Sequence, residues 1–202
     1  MKLSSFIVAI WWMVEIVDFL LPFSIQPLGL HPHNVDQWWG IFTYPFIHGD
    51  WEHLSSNSLS GIILLTSLFV FHPKKAFSIL PILYVFSGIL LWFIGEKGSN
   101  HIGASGLIYA LAFFLFTSGA IIRERNTLAV SFFIIMWYGS MIWGIFPFSV
   151  ESGVSWEGHL SGAIVGVALA FILYWKQRKR KSIESEEEEE AKIPFYELHP
   201  LD

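Results

Sequence analysis

The chain has 202 residues, of which 53% are hydrophobic and only 14% charged, well below the ~25% charged residues of soluble globular domains. Its formal net charge of −5 equals the contribution of one acidic run, Glu186 to Glu190. This composition excludes an ordinary soluble domain and points to one compact bundle in a bilayer, and the absence of cysteine excludes a disulfide framework, a thiolate metal site and a cysteine nucleophile.

A membrane span needs ~20 predominantly apolar residues. Six segments qualify in chain order: 4–22, 54–72, 76–95, 102–122, 127–148 and 158–175. The first follows Lys2 like a secretory signal, but Glu15 and Asp18 interrupt it and no small-x-small cleavage site follows, so it reads as a retained helix. Pro73-Lys74-Lys75, Arg123-Glu124-Arg125-Asn126 and Lys176 to Lys181 fall on one side with Lys2. The opposite side holds 23–52, 96–101 and 149–157, with Lys97 as its single basic residue. The positive-inside rule then places both termini in the cytoplasm and runs the even-numbered spans from outside to inside. Residues 1–176 are predicted as the membrane domain. Residues 177–202, basic and then glutamate-rich, are predicted as a disordered cytoplasmic tail. No transit peptide precedes the first span, and the expected location is a prokaryotic plasma membrane. The basic residues follow one interface and form no groove, so no nucleic-acid partner is expected.

Polar groups inside a membrane are costly and point to function. Three of them share a depth. Asn57 lies 17 residues before Lys74, Ser105 lies 18 before Arg123, and His159 lies 17 before Lys176, which puts each ~26 Å above the inner boundary of its helix. His53 stacks one turn above Asn57. Gly158, Gly162 and Gly166 repeat every four residues, a stripe that lets a neighbouring backbone come close, and Gly106 with Ala110 offers a matching surface on the fourth span. The spacing puts Tyr109 on the face of Ser105, within reach of the His159 ring.

These stretches resemble the rhomboid family of intramembrane serine proteases. His48-Gly49-Asp50-Trp51-Glu52-His53-Leu54-Ser55-Ser56-Asn57 is similar to the family's second-helix motif. Gly103-Ala104-Ser105-Gly106 is similar to its GxSG nucleophile motif with the following Tyr109, and His159-x-x-Gly162-x-x-x-Gly166 to its sixth-helix motif. The chain departs from the usual pattern at Gly158, where alanine is common, at Ser56, where a hydrophobic residue is common, and at Trp38-Trp39, where many members carry Trp-Arg. The resemblance implies an all-α, six-transmembrane-helix bundle in which Ser105 is the nucleophile and His159 the base, a dyad with no acidic third member. It implies an oxyanion held by the Ser105 amide, His53 and Asn57, with Gly103, Gly106, Tyr109, Gly162, Gly166 and His48 in support. Losing one such donor costs roughly 3 kcal/mol of transition-state stabilisation, so Asn57→Ala is expected to slow turnover without unfolding the bundle. The implied substrate is a transmembrane segment of another protein, cut near its outer end. No cofactor is implied.

The serines at 55, 56, 58 and 60 are expected to line a wet cavity. Phe132, Phe133, Trp137 and Trp143 on the fifth span read as lipid contacts or as a lateral gate. Glu15 and Asp18 are placed mid-membrane, pointing into the bundle, and His48 is expected to tie down the first loop. Histidines 31, 33, 48 and 101 lie on the outer side, but no HExxH pattern supports a metal site. Two other readings compete with a protease. One is a silent helix-capturing relative, which would lack the serine or histidine; the other is a small transporter or metal enzyme using Glu15, Asp18 and the outer histidines.

Overall fold

The computed structural model describes residues 2–149 and 153–190. Six helices are long and apolar enough to cross a membrane, each within three residues of its expected bounds. They are α1 (Lys2–Leu20), α2 (Trp51–Phe71), α3 (Ala76–Ile94), α4 (Ser105–Ile122), α5 (Arg125–Tyr138) and α6 (Trp156–Glu190). A 3-10 segment, Gly139–Ile145, completes the span begun by α5. The helix of α6 runs on to Glu190, past residue 177, where a disordered tail was expected. Lys, Arg and Glu are good helix formers, and a helix already nucleated by the membrane span is extended at little cost. Residues 191–202 of that predicted tail lie outside the described residues.

The helices bury themselves unequally. In α4, 72% of the spanning window is buried, against 50% in α6, 39% in α2, 28% in α3 and 22% in α1 and α5. α4 is therefore the hub of the bundle. Its seam with α6 is made of backbone: a Cβ added at Gly162 would run into the Gly106 carbonyl, and one at Gly166 would sit 2.9 Å from the Phe114 nitrogen. α1 lies on α2, where Trp11 fills the space over Gly61. There the Trp12 indole N–H donates to Ser58 Oγ at 2.9 Å, and Thr66 donates to Ser4 Oγ at 3.0 Å. At the C-terminal end of α2, His72 bridges that helix to its neighbours. Its Nδ1 lies 2.8 Å from the Tyr174 hydroxyl and its Nε2 3.3 Å from Ser118 Oγ.

The first loop is held from both sides. Leu30 and His101 exchange both backbone hydrogen bonds, at 2.8 and 2.9 Å, and the Gly103 N–H donates to the Tyr44 carbonyl at 2.9 Å. Glu15 and Asp18 serve this loop instead of lying mid-membrane in the bundle. Asp18 accepts the Ile25 N–H at 2.8 Å, and Glu15 accepts the His48 N–H. They occupy the last two turns of α1 and cap loop backbone that would otherwise lack acceptors.

Candidate active site

Three helix N-termini meet around one cavity of about 1040 Å³, which His53, Asn57, Ser105, Tyr109 and His159 all line. Each is started by a local device. Asp50 caps α2, accepting the His53 N–H at 2.7 Å, and so sets His53 and Asn57 one turn apart on the cavity face. Gly103, at φ +103°, turns the chain into α4 in a conformation that disfavours other residues. A Cβ there would lie 2.6 Å from His53 Nε2 and 3.5 Å from Asn57 Nδ2. The bare glycine thus lets the loop set Ser105 beside the donors of α2. Ser105 is the first residue of α4, so its N–H has no acceptor within the helix.

Ser155 starts α6. Its Oγ accepts the Gly158 N–H at 3.0 Å and meets His101 Nδ1 at 2.6 Å, while His101 Nε2 meets Ser99 Oγ at 2.7 Å. A Cβ at Gly158 would lie 2.8 Å from that same Ser155 oxygen. This crowding is a physical reason for glycine at a position where alanine is common in the family. Burial holds the His101 imidazole below its usual range, against the opposing pull of Glu157.

The His159 ring is fixed on two sides. Tyr109 stacks on it with centroids 4.1 Å apart and planes within 6°, where their spacing along the helices puts them. Its Nδ1 lies 2.9 Å from the Gly144 carbonyl oxygen. A carbonyl only accepts, so Nδ1 carries the proton and Nε2 is left as an acceptor. That is the tautomer a base for a serine hydroxyl requires. The orienting acceptor is main chain, where a Ser-His-Asp triad uses a carboxylate.

Asn57 Nδ2 is buried and has no hydrogen-bond partner among the described residues. Buried donors are ordinarily paired, so an orphan facing the cavity is a donor available to an incoming oxygen. His48 is fully buried with both ring nitrogens unpartnered. Its ring contacts lie 5.1 Å from His53 and 6.0 Å from Trp11, and it sits against the Phe46 backbone of the first loop. Burial, followed by the neighbouring His53, holds its imidazole down at about 4.

Of the four serines, Ser56 and Ser60 line the cavity. Ser55 and Ser58 instead donate to backbone carbonyls of their own helix, at 2.6 and 2.7 Å. Phe132, Phe133, Trp137 and Trp143 are exposed on the bundle surface, while Tyr138 and Met141 of the same span line the cavity. His31 and His33 bond to loop carbonyls, both at 3.1 Å. Among the described residues no three His, Asp or Glu side chains come together as a metal site would need.

Sequence reasoning overlooked Gly144, Tyr138, Met141 and Glu157. The depth count held a signal for the first: Gly144 lies 19 residues beyond Arg125, about as far from the inner boundary as Asn57, Ser105 and His159.

The six-span bundle thus brings Ser105 and an oriented His159 to one shared cavity. The Rhomboid domain family model matches residues 35–176. An uncharacterized protein of Mycobacterium tuberculosis is 31% identical over 182 residues, covering 87% of this chain and 76% of the relative. One from Mycobacterium leprae is 32% identical over 181 residues, covering 87% and 72%. Rhomboid-related protein 1 of Caenorhabditis elegans is 26% identical over 143 residues, covering 68% and 40%. The chain belongs to the rhomboid family, a family of intramembrane serine proteases.

Proposed function

We propose that this chain is an intramembrane serine endopeptidase that cuts transmembrane segments of other proteins near the outer face of a prokaryotic plasma membrane, with both of its own termini in the cytoplasm. The observation that carries the reading is His159, its Nδ1 engaged by the Gly144 carbonyl and its ring stacked on Tyr109, in the cavity that Ser105 lines. In this mechanism Ser105 Oγ attacks the scissile carbonyl carbon while its proton passes to His159 Nε2. The oxyanion is met by the Ser105 N–H, Asn57 Nδ2 and the His53 imidazole. His159 then gives the proton to the leaving amine, and water, activated by the same imidazole, releases the acyl group and restores the serine.

The substrate segment approaches sideways past α5. This helix shares the lowest buried fraction with α1, and the Tyr138 hydroxyl at its end bonds to Ser60 of α2. Cleavage of a single-pass protein in proteoliposomes tests the reading, with Ser105→Ala and His159→Ala as comparisons. The native chain should cut within or beside the transmembrane segment, and both variants should be folded and inactive. Binding without cutting would favour helix capture, and cutting that survives loss of Ser105 would remove it as nucleophile.

A further inference from the structure

The cavity is acidic. Asp50 and Glu52 stand at the start of α2, Glu96 in the loop after α3, and Glu157 in the first turn of α6. All four line it, and among the described residues no lysine or arginine does. Glu157 differs from the others. Only 8% exposed, it lies two residues before His159, and no hydrogen-bond donor meets its carboxyl group among the described residues. It stands in the first turn of α6, where an acidic side chain suits the helix dipole.

The wall changes character with depth. Ile108, Tyr109, Tyr138 and Met141 form the apolar part of the lining on the α4 and α5 spans, while the carboxylates lie at the starts of α2 and α6 and in the loop after α3. A transmembrane segment lying in the cavity with its apolar residues against the first set brings its outer flanking residues to the second. Resting on the protease reading, we infer that the cavity selects segments carrying a lysine or arginine just outside the scissile bond, with Glu157 as the principal acceptor. Outer flanks of membrane proteins are poor in these residues, so such a cation separates substrates from most other spans. Charge complementarity of this kind acts mainly on specificity.

The test uses the full chain in proteoliposomes with one single-pass substrate in three versions: lysine, alanine or glutamate at the outer flank of the cleaved bond. Native protein should cut the lysine version about tenfold faster in kcat/KM than the alanine version, the scale of one charge-assisted hydrogen bond, and the glutamate version slowest. The lysine-to-alanine ratio should shrink as salt rises and fall toward one in Glu157→Gln. Should that variant not fold, Glu96→Gln, an exposed rim position, should still lower the ratio. Equal Ser105-dependent cutting of all three versions by native protein overturns this inference and leaves the protease reading intact. So does a ratio that Glu157→Gln leaves unchanged. No Ser105-dependent cutting of any version overturns both.

Discussion

In a neutral imidazole, the nitrogen left to take a proton is fixed by where the other is committed. In this chain the commitment is made by the Gly144 carbonyl, so position 144 matters for what its side chain must not be. A Cβ there would run into the Tyr109 hydroxyl and sit 3.3 Å from His159 Nδ1, displacing the stack that orients the base. Gly144→Ala should lower kcat about 10²-fold, the scale on which a misplacement of ~1 Å acts. KM should change little, and circular dichroism should show intact helices. A variant that turns over like the native protein would show that the carbonyl contact does not position the base. Ser105, His159, His53 and Asn57 were readable in the sequence because hydroxyl, imidazole and amide chemistry belongs to particular residue types. Gly144 was not, since it acts through a carbonyl that every residue possesses.

Length and composition carry most of the information about the spans, which is why the six helices fall where hydropathy puts them. Hydropathy does not distinguish an α-helix from the 3-10 turns at Gly139–Ile145, and it gives no account of α6 beyond its apolar part. The α4–α6 seam was visible because small residues four apart mark close backbones. A methyl group at Gly162 meets the Gly106 carbonyl, which is main chain and cannot rotate away. Gly162→Ala should therefore cost about 1–3 kcal/mol, as overpacking does, seen as a lower unfolding midpoint in detergent micelles. Gly139→Ala is the control, because a Cβ there meets nothing within 4 Å. Equal midpoints for the two variants would mean that the seam tolerates separation.

Across the whole molecule, acid should loosen the fold. Burial holds both His48 and His72 at about 4, against an ordinary value of 6.5; His53 adds to this at the first and Lys75 at the second. The unfolded chain takes up these protons first, so their contribution is fully present above about 6.5 and is lost as pH falls toward 4. The slope is up to about 1.4 kcal/mol per pH unit for each ring. The apparent melting temperature in detergent should decline between pH 6.5 and 4.5, and His72→Gln should flatten part of that decline. A midpoint that stays level or rises on acidification contradicts the assignment. The two rings lie at opposite ends of the bundle, in the first loop and just past the C-terminal end of α2, so the weakening is not confined to one surface.

The seclusion of α4 has a consequence for how the protein meets lipids of different chain length. Hydrocarbon thickness acts on α1, α3 and α5, which present most of their surface to the bilayer and must tilt or distort it when lengths mismatch. The 18 residues of α4, ~27 Å long, are in contact mainly with protein, so Ser105 stands at a height set by the fold. On the proposed reading, a guest segment is carried up or down with the lipid when the bilayer thickens or thins while Ser105 stays in place, and the bond presented to it becomes a measure of local membrane thickness.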